Sequence, residues 1–294
     1  MYPDFLLIGA QRAGSSWLSL RLRNHPEVLL PPIKELHYFD RKLEKSMFRT
    51  DFFSHKRKSL FKRMRKVAIN MARQKTHGIS WPIRFFLLRR SDEWYSRLFP
   101  EGETRLQGDC TPAYSSLDRE TVAHIAGIMP SARILFVMRN PIQRCWSHAK
   151  MDLGAGGRPL ESIPDEEYIA HIMSPGSQLR TDYLRTIDIW SSLFPPEQVK
   201  WLFFDALRHS PDEFMAEVCA FLGIGTVLEE PEQERHAAAN VGSRYAMPEK
   251  VELHLCRMYH DKIRQMSERF GGYATGWLNG VEEVLSGREG GDER

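Results

Sequence analysis

The chain is poor in cysteine. Its 294 residues hold only four, Cys110, Cys145, Cys219 and Cys256, and none forms a C-x-x-C pair. No paired-cysteine redox or metal motif is therefore present, and reduced thiols in a cytoplasmic protein are the expectation. Long hydrophobic runs are also missing, since no segment approaches the roughly 20 apolar residues that a membrane span requires. The one apolar stretch near the N-terminus is short and interrupted by Asp4 and Gly9, so no signal peptide is expected. Charge of one sign is not in large excess, and a net charge of +3 gives no ground by itself for a nucleic-acid partner. No internal repeat is visible. An ordinary globular composition remains, in a chain long enough to bury a sizeable core.

The strongest local signal lies at the start. Phe5-Leu6-Leu7-Ile8 reads as a buried strand, and Trp17 to Leu22 carries apolar residues at helical spacing. Between them stands Gly9-Ala10-Gln11-Arg12-Ala13-Gly14-Ser15-Ser16. A strand, a glycine-bounded turn and a helix start together make an anion cradle of backbone N–H groups, reinforced by the helix dipole. The glycine spacing is that of the ATP-binding P-loop, but Ser15 stands where its lysine belongs and the cation has moved to Arg12.

Farther along, Arg133 to Met138 is the clearest buried strand. It runs into Arg139-Asn140-Pro141 and a helix carrying Ser147. Arg105 to Asp109 and Val199 to Phe204 read as further strands, and helices are expected near 91–100, 179–193, 212–222 and 248–270. Trp94 and Tyr95 are assigned to the core. Strands alternating with helices predict an α/β fold, a central mainly parallel sheet flanked by helices, in a single domain over 1–285. Residues 286–294 are expected to form a flexible tail. Residues 41–90 read as a partly helical insertion, with thirteen Lys or Arg against two acids between Arg41 and Lys75. As a flap beside the site it would favour an acidic acceptor, whereas a charge run more often marks a solvated face.

The chemistry follows from what ends the strands. A P-loop kinase or ATPase needs a neighbouring strand ending in an acid that helps hold Mg²⁺. Here the best strand ends in Arg139, and an arginine with a nearby hydroxyl suits a second anionic group instead of a metal. Two phosphate sites without an evident metal carboxylate fit a nucleotide phosphorylated at both ends, and no metal is expected.

GAQRAGSSWL, KELHYFD, DCTPAY and RILFVMRNPIQRCWSH, in this order, resemble the sulfotransferases that use 3′-phosphoadenylyl sulfate (PAPS), above all the heparan-sulfate type and bacterial relatives. The resemblance is strongest over about residues 4–150. It implies a P-loop-like fold in which Gln11, Arg12, Ala13, Gly14, Ser15, Ser16 and Trp17 hold the 5′-phosphosulfate. It further implies that Arg139 and Ser147 grip the 3′-phosphate, and that Gly242, Ser243 and Arg244 belong to a loop closing over the nucleotide. Glu35 falls on the general base and Arg12 on the catalytic cation, His37 falls on a polar position beside them and is the third catalytic candidate, and Asp40 falls on another such position. The implied activity is sulfuryl transfer to a hydroxyl, or less favourably an amine, of a carbohydrate or carbohydrate-bearing small molecule, without nucleic acid or a transmembrane segment. A small-molecule kinase and a non-catalytic nucleotide-binding relative are the competing readings. Ser15 and Arg139 argue against the first, and Arg12 leaves the second open.

Overall fold

Contiguous apolar runs become the central strands because a strand covered by helices on both faces has no polar side to show. The computed structural model describes residues 1–40, 80–226 and 245–289. Five strands, β1 (Phe5–Gly9), β2 (Val28–Leu29), β3 (Leu106–Cys110), β4 (Arg133–Met138) and β5 (Val199–Phe203), form one parallel sheet in the order β2-β3-β1-β4-β5. Every residue of β1 is buried, as are all of β4 but Arg133.

The helices in chain order are α1 (Ser15–Asn24), α2 (Ser80–Leu87), α3 (Asp92–Ser96), α4 (Arg119–Ile128), α5 (Pro141–Leu153), α6 (Asp165–Met173), α7 (Pro175–Thr181), α8 (Tyr183–Ser191), α9 (Phe204–His209), α10 (Pro211–Leu222), α11 (Glu249–Phe270) and α12 (Gly272–Glu289). The chain leaves β1 toward β2 on one side of the sheet and leaves β4 toward β5 on the other. The loops after β1 and β4 therefore diverge, and the crevice between them, at the strands' carboxyl ends, is where parallel sheets bind ligands.

One expectation needs correction. The helix expected over 179–193 is two helices, because the Asp182 carboxylate accepts from the Arg185 N–H at 3.4 Å and starts α8 afresh. Helix α12 runs to Glu289, with Ala274, Trp277 and Val281 buried at helical spacing in its first part, and the rest of the expected tail, 290–294, lies outside the described residues. Within the expected insertion, Trp81 and Phe85 of α2 are buried and stacked 5.1 Å apart. Its basic stretch, Arg41 to Lys75, lies outside the described residues. Trp94 and Tyr95 are buried as expected, and the four cysteines are free and buried.

Candidate active site

Gly14 sets the geometry of the first loop. It caps α1 at φ 86° and offers no side chain to the helix start, and the first turn holds no acid. The N–H groups at the start of α1 thus lack a side-chain acceptor from the capping position and face the crevice, a ready site for an anion. An added Cβ at Gly14 would lie 2.7 Å from Leu207 and 2.9 Å from Phe204, so both the φ and the packing require glycine. Ala13, Ser15 and Trp17 are buried, and Gln11, Arg12 and Gly14 are half-buried, while Ser16 is exposed.

The loop's cation points sideways. Arg12 donates from Nε to Ser147 Oγ at 3.1 Å, and its NH1 approaches the Met151 sulfur at 3.4 Å. Ser147 lies on α5, whose start is fixed by Pro141 in the first turn and by Asn140 Oδ1, which accepts from the Ile142 N–H at 3.0 Å. Arg139 donates to the Arg12 carbonyl at 2.9 Å and lies 4.9 Å over the Phe204 ring. Burial pulls the Arg139 guanidinium down to about 10, opposed by Tyr183 and aided by the charges of Arg12 and Arg208. Arg12 is lowered by burial too, against the pull of Asp152. The fold therefore gathers Arg12, Arg139 and Ser147 into one cationic cluster, although they are far apart in sequence.

The second loop is 34–40. Lys34 Nζ donates to Ser16 Oγ at 2.9 Å and lies 3.0 Å from Glu35 Oε1. Glu35 Oε2 lies 3.4 Å from His37 Nε2, and His37 Nδ1 is bonded to Asp40 Oδ2 at 2.7 Å. Two carboxylates, an ammonium and an imidazole thus form a chain reaching back to the phosphate loop. Burial alone would raise the Glu35 carboxyl, but the His37 hydrogen bond and the adjacent Lys34 outweigh it and pull it down to about 2. Burial would lower His37, yet its bonds to Asp40 and Glu35 push it up to about 10, so it is an imidazolium at neutral pH. Asp40 Oδ1 is buried with no hydrogen-bond partner among the described residues.

A clamp holds this loop; of its residues the sequence marks only Tyr95 individually, and as core. Asp109, at the end of β3, accepts from Thr111 at 2.7 Å, Tyr95 at 2.9 Å and Tyr114 at 3.0 Å. Thr111 and Tyr114 in turn accept from the Leu36 and Tyr38 N–H groups at 3.0 and 3.2 Å. Burial raises the Asp109 carboxyl to about 6 against these hydrogen bonds. The one sequence signal was the motif DCTPAY as a whole; an acid closing a buried strand is the feature within it that marks the clamp.

Among the described residues only three other than glycine have positive φ: Arg12 at 69°, Glu35 at 64° and His37 at 52°. Such backbones cost about 1–3 kcal/mol each and persist only where surroundings enforce them. Arg139 holds the Arg12 carbonyl, the Cys110 carbonyl accepts the Glu35 N–H at 3.1 Å, and Arg90 donates to the His37 carbonyl at 3.2 Å. All three residues expected to be catalytic from the sequence therefore sit on enforced backbone. Gly242, Ser243 and Arg244 lie outside the described residues.

The profile of the sulfotransferase family matches residues 3–227. A crystal structure of a sulfotransferase from Alicyclobacillus acidocaldarius superposes with a TM-score of 0.64 at 22% identity, covering 94% of this chain and 99% of that one. A sulfotransferase domain from the Synechococcus PCC 7002 olefin synthase aligns at a TM-score of 0.47 and 18% identity, over 82% of this chain and 81% of its own. One from the curacin biosynthetic pathway aligns at 0.47 and 15%, over 81% and 83%. No curated protein matches in sequence. The first superposition agrees with the parallel sheet and its flanking helices, and the profile spans well over half of the sequence: the chain belongs to the sulfotransferase family.

Proposed function

We propose that this protein transfers a sulfuryl group from PAPS to a hydroxyl of a carbohydrate or carbohydrate-bearing small molecule, with Glu35 as the general base. The observation that carries the reading is the direct link between the two loops. The carboxylate able to take a proton is joined through Lys34 to Ser16 at the open start of α1. A base and an anion cradle held this close suit a reaction in which a hydroxyl attacks a group carried on a phosphate.

The residues present fit a nucleotide bearing phosphates at both ends. The α1 start offers uncapped N–H groups to one anion, and the Arg139 and Ser147 side chains lie beside that loop for another. Bound there, PAPS would supply the activated sulfuryl group. Arg12, Arg139 and Lys34 would balance its charge, Glu35 would accept the acceptor's proton, and His37 with Asp40 would orient Glu35. The strand end that would carry a metal-binding acid in a kinase leads instead to Arg139. Lys34, Arg12 and Arg180 near Asp40 favour an acceptor with acidic groups.

Calorimetry separates the readings. 3′-Phosphoadenosine 5′-phosphate is expected to bind without added metal and to raise the melting temperature, stabilising the fold by about 2.7 kcal/mol at one hundred times its Kd. A response to ATP with Mg²⁺ alone would make the protein a kinase. A screen for transfer of radiolabelled sulfate to sugar acceptors then distinguishes an enzyme from a binder.

A further inference from the structure

A base at the acceptor is half of a proton account, because the phosphate oxygen released by sulfuryl transfer also needs a cation or a proton. Arg12 is poorly placed and poorly suited for the second half. Its Nε and NH1 are engaged by Ser147 and Met151 on α5. Its guanidinium can hydrogen-bond but does not give up a proton. Lys34 differs on both counts. Its ammonium lies 2.9 Å from Ser16 Oγ, on the first turn of α1, and its compact head carries three donors. Two of these are used by Ser16 and Glu35, and among the described residues the third has no partner.

We propose that Lys34 is a catalytic residue of this sulfotransferase: it protonates the departing phosphate oxygen and is recharged by Glu35, which it touches. The inference rests on the PAPS reading above. As the acceptor oxygen bonds to sulfur, Glu35 takes the hydroxyl proton. The bond between sulfur and the 5′-phosphate oxygen breaks with its electron pair on that oxygen, to which Lys34 gives a proton. Glu35 then passes the acceptor's proton to Lys34 across their 3.0 Å contact. One proton enters with the acceptor and one leaves on the phosphate, and both side chains regain their starting charges without solvent.

The same contact explains how a carboxylate held so acidic in the resting site can serve as a base. Burial raises Glu35, and Lys34 is among the groups that offset this. When an anion at the α1 start shares the donors of this ammonium, Glu35 loses part of that hold and its proton affinity rises. Donor binding thus readies the base.

The test uses the full chain with Lys34→Met, Lys34→Arg and Lys34→Ala, and 3′-phosphoadenosine 5′-phosphate as the probe. In ³¹P spectra of the wild-type complex, the titration midpoint of the 5′-phosphate is expected to be displaced from that of free nucleotide. Lys34→Met should lose much of this displacement while the 3′-phosphate signal stays put. Turnover should fall about 100-fold or more in both Lys34→Met and Lys34→Arg, since a fixed guanidinium cannot supply the proton. Added methylamine should restore turnover to Lys34→Ala in proportion to its concentration. If Lys34→Met does not fold, Lys34→Ala, which also removes the charge, carries the spectral test. An unmoved 5′-phosphate signal in the neutral variants, full turnover in Lys34→Arg, or absence of amine rescue each overturns the role of Lys34 alone. A wild-type protein that shows no bound nucleotide overturns the PAPS reading, and the role of Lys34 with it.

Discussion

The two loops at the carboxyl edge of the sheet satisfy their charges in opposite ways. The loop after β1 presents uncapped N–H groups, and beside it Arg12 and Arg139 bond chiefly to a hydroxyl, a sulfur, a carbonyl and a ring. The loop 34–40 is internally paired, with Lys34, Glu35, His37 and Asp40 alternating in charge. An unpaired cationic surface gains most from a ligand that brings negative charge, whereas a paired chain gains little until a partner is drawn away. The first region is built to bind and the second to respond.

Removing the base should give the largest effect. Glu35→Gln keeps the shape of the second loop and should lower turnover roughly 10²–10⁴-fold while leaving nucleotide affinity near normal. Steady-state kinetics paired with calorimetry read both quantities. Comparable losses in both would mean that the two loops do not divide the work in this way.

On the binding side, Arg139→Ala removes a donor to the predicted 3′-phosphate and the brace on the Arg12 carbonyl. A lost hydrogen bond to a charged group is worth about 1.5–3 kcal/mol, so nucleotide Kd should rise roughly 10–100-fold. Acceptor KM should change little, and isothermal titration against the wild type checks the first value. An unchanged Kd would remove Arg139 from the binding region.

Gly14→Ala strikes the frame beneath the same region. The variant must adopt φ 86° and place a methyl 2.7 Å from Leu207. Overpacking and backbone strain should cost about 1–3 kcal/mol, which a denaturant titration of the ligand-free protein would record. A wild-type midpoint would show that the loop relaxes freely.

The smallest effect should come from His37, and it is a dependence on pH. Its folded value near 10 lies above the ordinary histidine value, so its share of stability is complete below about pH 6.5 and fades as pH rises through 10. Melting temperatures between these limits should fall more steeply for the wild type than for His37→Asn. Parallel curves would mean that His37 is not the charged bridge between Glu35 and Asp40.

Much of this was legible in the sequence because it rests on local rules. The apolar runs at Phe5–Ile8 and Arg133–Met138 could be little else but buried strands, and the glycine spacing from Gly9 to Gly14 marked the turn between strand and helix. The split at Asp182 and the helix after Gly272 were missed for a local reason of the opposite kind. A capping carboxylate inside a helical pattern looks like any polar residue, and α12 is anchored by only a few apolar positions. For the candidate site, Glu35 and Arg139 could be named from motifs, but neither the direction of Arg12 nor the reach of Lys34 could.

By itself the sequence determined the α/β class, the order of the motifs and the chemical types available at the sheet edge. Those follow from periodicity, turn chemistry and composition, which act over a few residues. Only the tertiary structure decided which charges meet. Arg12 and Ser147 are 135 positions apart, and Lys34 and Ser16 are 18 apart, and each pair is joined by the way parallel strands bring their loops to one end. Asp109 becomes a clamp because β3 delivers it beneath the 34–40 loop, where Thr111, Tyr95 and Tyr114 converge on its carboxylate. Side-chain direction depends on packing against distant elements, and local sequence carries no record of it.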